Sequence, residues 1–110
     1  MAKDDYHVIV YQILKYLYES LKNGTEIDFR LLEAGNFGIY QKYWLFIMKS
    51  MKEQGFVSGV RIIGTQGRLD IKRIEITPSG IDYLLDDNLM SKAEKAYNNV
   101  KDFIPLLPGL

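Results

Sequence analysis

The stretch Val60-Arg61-Ile62-Ile63-Gly64-Thr65-Gln66-Gly67-Arg68-Leu69-Asp70-Ile71-Lys72-Arg73-Ile74-Glu75-Ile76-Thr77-Pro78-Ser79-Gly80 decides the fold class. Apolar and charged residues alternate on both sides of Gly64-Thr65-Gln66-Gly67, a run of turn formers, and this predicts a two-stranded hairpin. Leu69 and Ile71 hold odd positions, whereas Ile74 and Ile76 hold even ones. A one-residue slip turns every side chain of a strand to its other face, so these four share a face only if the strand bulges or breaks near Lys72-Arg73. At Thr77 the period changes again. Thr77 can cap a helix, Pro78 suits its first position, and Ile81, Leu84 and Leu85 follow at helical spacing.

Upstream of the hairpin the period is helical throughout. Tyr6, Ile9, Ile13, Leu17 and Leu21 line one face of a helix from Asp5 to Lys22, and Val10, Leu14 and Tyr18 widen that face beyond the need of one partner. Asp4 and Asp5 suit its positive end, Lys22 its negative end, and Asn23-Gly24 a left-handed stop. A short second helix is expected after Asp28 as cap, with Ile27 and Leu32 spaced as a hydrophobic staple and Gly35 as its end. Gly35-Asn36-Phe37-Gly38 is read as a loop into a third helix, Ile39 to about Gln54. Tyr40, Trp44, Ile47, Met48 and Met51 form its buried face, and Gly55 stops it.

Downstream, Asp86-Asp87-Asn88 marks a turn. A last helix is expected from about Leu89 to Phe103, with a thin face of Leu89, Ala93, Ala96, Tyr97, Val100 and Phe103 or Ile104. Two prolines keep the tail Ile104 to Leu110 from being a regular helix. These elements define an α+β chain of 110 residues, enough for one domain. The expected organisation is a unit over residues 1–88, with a C-terminal helix and apolar tail over 89–110 packed on the same unit or on a second subunit.

Three helices, a basic hairpin and further C-terminal helices match the winged helix-turn-helix plan. Trp44-Leu45-Phe46-Ile47-Met48-Lys49-Ser50-Met51-Lys52-Glu53-Gln54-Gly55-Phe56-Val57 resembles that family's recognition helix, ending in a Gly-aromatic-apolar step into the wing. Ile76-Thr77-Pro78-Ser79-Gly80-Ile81-Asp82-Tyr83-Leu84 resembles its exit from the wing, a strand followed by Thr-x-x-Gly and an apolar helix. From Asp5 through Ala93 the chain is also similar to the YjcQ-like family of small bacterial and prophage proteins. The resemblance implies a winged-helix fold, assigns no reaction, and implies dimerisation through an added C-terminal helix.

Charge gives the functional lead. Lys and Arg together number 14, as do Asp and Glu, so no global field draws in nucleic acid or an anionic membrane. The distribution is uneven: residues 41–73 carry a net +5, against −2 for residues 1–40 and −3 for residues 74–110. In a winged helix the recognition helix enters the major groove and the wing lies along the backbone. On that plan Gln41, Lys42 and Tyr43 approach bases. Lys49, Arg61, Arg68, Lys72 and Arg73 supply phosphate charge, and Thr65 and Gln66 act as neutral phosphate donors.

Catalytic and metal chemistry find little support. There is no cysteine, and the single His7 has no metal-ligand or triad partners at suitable spacing. Asp86-Asp87-Asn88 lacks the Gly and Glu of a calcium loop, and Gly64-Thr65-Gln66-Gly67-Arg68 matches neither a P-loop nor a dinucleotide fingerprint. The expectation is a non-enzyme without cofactor or metal. The acidic start and the shortness of the longest apolar run, Tyr43 to Met48, point to a cytoplasmic protein with no membrane association. Two functions fit: a regulator-like protein binding double-stranded DNA, or a protein–protein adaptor on a winged-helix scaffold. Homodimerisation through the C-terminal helix and the Leu106-Leu107-Leu110 tail is compatible with either.

Overall fold

The first helix, α1 (Asp5–Asn23), is the post around which the chain is built. In the computed structural model, which describes residues 5–64 and 68–100, α1 packs against the third helix, the base of the hairpin and both C-terminal helices. Val8, Ile9, Val10, Tyr11, Ile13, Leu14, Tyr16 and Leu17 are all buried, and so are Gln12 and Ser20. The two expected stripes have merged because α1 is enclosed on most of its circumference. Each fully buried aliphatic side chain here contributes about 1.5–3 kcal/mol of transfer free energy. Leu21 departs from the expected face: burial stops at Ser20, and Leu21, in the next turn, is 62% exposed.

The second helix also differs from expectation. Asp28 does cap, accepting the Arg30 N–H at 3.1 Å, and its own N–H donates to the Tyr16 hydroxyl at 2.9 Å. From there the chain makes a 3-10 turn (Phe29–Leu32), passes through an extended Glu33, and enters a single α-helical turn, α2 (Ala34–Phe37). Gly35 therefore lies inside a helical turn, and Gly38, in the left-handed conformation, ends it. The break at Glu33 lets Leu32, Ala34 and Phe37 all turn into the core. It also leaves the Leu32 carbonyl without a helical donor, and the Trp44 indole N–H fills that role at 2.6 Å. The third helix, α3 (Gln41–Glu53), starts later than expected, with Tyr40 as its extended N-cap. Tyr40 is consequently 88% exposed rather than buried, whereas Trp44, Ile47, Met48 and Met51 form the core face as expected.

The hairpin comes in two antiparallel pieces. At its base β1 (Val57–Ser58) pairs with β4 (Glu75–Ile76), and toward its tip β2 (Arg61–Ile63) pairs with β3 (Arg68–Asp70). Between them Lys72 and Arg73 form a turn closed by the Ile74 N–H on the Ile71 carbonyl at 3.1 Å, the break the alternation requires. The opposite strand makes a matching slip: Val57 and Val60 are both buried although three residues apart. Gly59 between them has φ +76°, and a Cβ there would lie 1.9 Å from the Arg73 carbonyl oxygen. Only glycine satisfies both conditions.

The exit motif has a physical explanation. Thr77 caps α4 (Pro78–Asp86) by accepting the Gly80 N–H at 3.0 Å, while its hydroxyl donates to the Gly55 carbonyl and its N–H donates to that of Phe56. A Cβ on Gly80 would approach the Phe56 carbonyl oxygen to 2.2 Å, so the glycine lets α4 sit directly on the Gly55-Phe56 segment that follows α3. Phe56 and Tyr83 then stack at 4.2 Å. The Asp87 carboxylate accepts the Leu89 N–H at 2.7 Å, opening α5 (Asn88–Val100).

Helix α5 lies on α1 and α4, burying Met90, Ala93 and Tyr97. Ala93 and Tyr97 are buried and Ala96 half-buried, as expected, but in the first turn Met90 takes the core place expected of Leu89, which is 44% exposed; Leu85, at the end of α4, is exposed as well. Phe103, Ile104 and the tail lie outside the described residues, and the Val100 side chain is not described. The chain is α+β, with five α-helices and a small antiparallel hairpin among the described residues, compatible with a winged-helix arrangement.

Candidate nucleic-acid interface

At 100° per residue, the core face of α3 fixes what it shows to solvent. Opposite Trp44, Ile47, Met48 and Met51 run Lys42, Phe46, Lys49 and Glu53, spaced by four, three and four. Gln41 and Lys42 are exposed in the first turn, Lys49 is half-buried, and Tyr43 sits half-buried on the flank. The centre of the outward face is Phe46, 61% exposed. Sequence reasoning misses it, because the apolar run Tyr43 to Met48 reads as core. The available signal is its spacing from Lys42 and Lys49, which places it on the lysine side of the helix.

Phe46 does not stand alone. The Tyr6 ring meets it edge-on, with centroids 6.1 Å apart. Tyr6 is itself held by a 2.7 Å hydrogen bond between its hydroxyl and that of Ser50, and by the His7 ring at 5.0 Å. The aromatic cluster thus ties the start of α1 to the middle of α3.

In the wing, Asp70 organises the basic residues. Its carboxylate takes a 2.7 Å ion pair from Arg61 across the strands and accepts the Lys72 N–H at 3.0 Å. The Arg61 hydrogen bond, then that backbone N–H, holds the Asp70 carboxyl below the usual carboxylate range. Arg61 is thereby committed to Asp70, and its charge is partly offset where it stands. Arg68, Lys72 and Arg73 are exposed. Thr65 and Gln66 lie outside the described residues.

The two parts meet at a cleft of about 460 Å³ between the wing, α2 and the start of α3. Gln41 from α3 lines it together with Arg68 and Lys72 from the wing, over an apolar floor that includes Phe29, Trp44, Leu69 and Ile71. Glu33 and Asp70 also line it and temper its positive charge. No residue of α4 or α5 lines the cleft, so the acidic Asp82, Asp86, Asp87 and Glu94 stay out of it. Lys42, Lys49 and Arg73 are not among its lining residues and belong to the flanking surfaces.

Among the described residues, no three His, Asp or Glu side chains come together in a group able to hold a metal ion, and no helix is long and apolar enough to cross a membrane. No curated protein and no solved structure matches the chain. A family model described as YjcQ protein matches residues 11–103, a span running from the middle of α1 past the end of α5 and including the whole hairpin. With most of its length matched, the chain belongs to the YjcQ family.

Proposed function

We propose that this chain is a non-enzymatic, cytoplasmic protein that binds double-stranded DNA, in the manner of a bacterial or prophage transcriptional regulator. The observation that carries this reading is the cleft at which Gln41 of α3 meets Arg68 and Lys72 of the wing. In this reading the duplex lies across the rim of the cleft, with the wing along its backbone and the first turn of α3 and the flanking outward face turned toward its major groove. Gln41 and Lys42 reach base edges, with Tyr43 at the margin. Lys49, Arg68, Lys72 and Arg73 neutralise phosphates, Arg61 contributes less because Asp70 holds it, and the Thr65 hydroxyl and Gln66 amide serve as neutral phosphate donors. Because the whole chain is neutral, this attraction is local rather than long-range.

Counterion release makes the reading quantitative. Four phosphate contacts, from Lys49, Arg68, Lys72 and Arg73, give a slope of about −4 for log K against log salt. Fluorescence anisotropy of a labelled duplex across rising salt measures it. Lys72→Ala should weaken binding to all sequences alike and flatten the slope by about one unit. Absence of binding at low salt by the folded protein contradicts the reading.

An adaptor or homodimer is the second reading, favoured by Leu85 and Leu89, which are 59% and 44% exposed at the junction of α4 and α5. A monomer mass in sedimentation at high protein concentration contradicts the homodimer.

A further inference from the structure

We propose that Phe46 reads the 5-methyl group of thymine in the major groove. This rests on the DNA reading above and names the base feature that the outward face of α3 selects. A phenylalanine ring 61% exposed on a helix face is costly to leave in water and cannot contact phosphate. Thymine carries the one apolar group on the major-groove edge of the four base pairs, and Phe is among the side chains that meet it. The position suits that role, since Phe46 lies between Lys42, four residues before it, and Lys49, three residues after, on the same face. The two lysines stand beside the ring and the one carboxylate of this face, Glu53, stands seven residues beyond it, so the surround of Phe46 is positive and favours a polyanion as occupant over an apolar protein surface, which would have to desolvate both lysines. The ring is also braced, with the Tyr6 edge 6.1 Å away and Tyr6 tied to Ser50 at 2.7 Å, so little side-chain entropy is lost on contact.

The test compares two labelled alternating duplexes at one salt concentration, dA·dT and dA·dU, which differ only by the methyl groups. Burying one methyl corresponds to a preference of about fourfold for the thymine duplex. Phe46→Ala should erase the preference while keeping the salt slope and the far-ultraviolet circular dichroism. Phe46→Gln, a second variant of polar character, should erase it as well. Equal affinity of the unmodified protein for the two duplexes, with salt-sensitive binding intact, overturns the assignment and leaves the DNA reading standing. A thymine preference that survives in both variants places the methyl contact elsewhere and overturns it too. Binding to neither duplex overturns both and turns attention to a protein partner for the Phe46 face.

Discussion

Trp44 shows how much one side chain decides. Its ring is core, 4% exposed, and its indole N–H satisfies the Leu32 carbonyl that the break at Glu33 leaves open. Trp44→Phe keeps most of the apolar burial but strands that carbonyl, so it should cost about 1–3 kcal/mol in urea denaturation. A loss no larger than that of an exposed substitution would show that the hydrogen bond is not needed. Tyr11 gives a second residue-level expectation. Burial first, then the charge of Glu94, to whose carboxylate its hydroxyl donates at 3.4 Å, push its pKa up to about 12 from an ordinary 10.0. The folded state therefore favours the neutral phenol. Its contribution is complete below the ordinary tyrosine range and is lost as pH rises from 10 toward 12. Thermal melts across that interval should fall more steeply for the unmodified protein than for Tyr11→Phe, and equal slopes would contradict the assignment.

The hairpin and its exit are the elements most open to sequence reasoning, because each rests on a local rule. Opposite parities of Ile71 and Ile74 demand a break at Lys72-Arg73, and the chain turns there. Thr77 and Pro78 announce α4 through capping chemistry that needs no partner from elsewhere. The misses share the opposite property. Glu33 is extended because Leu32, Ala34 and Phe37 must all reach one core, a tertiary demand that no propensity records. Phe46 reads as core by composition and stands outside by geometry, while Leu21 and Leu89 keep an apolar identity at exposed positions. Gly59→Ala tests the hairpin as a unit. The added Cβ collides with the Arg73 carbonyl at a positive φ, so base and tip can no longer share one register. We expect a loss of stability of about 1–3 kcal/mol and faster amide exchange at Ile62 and Leu69, the paired residues of β2 and β3. Exchange unchanged from that of the unmodified protein would mean the break is not held by Gly59.

Across the whole molecule, the division of labour stems from α1. It packs against α4 and α5 and also against α3 and β4 at the base of the hairpin, so the basic middle of the chain and the helices that follow it share one support. Balanced net charge then coexists with a local +5 over residues 41–73, the property on which the proposed binding depends. The expected site is legible in outline because charge partition survives folding. Its geometry is not, since the meeting of Gln41 with Arg68 and Lys72 depends on how the wing folds back over α2. The most direct test of the central claim is a titration of the isotope-labelled full chain with a generic duplex, tracked residue by residue through amide chemical shifts. Binding by the proposed face moves resonances from Gln41 to Lys49 and from Arg68 to Arg73, and leaves α5 still. Shifts confined to α4 and α5, or none at a low salt concentration, would contradict it.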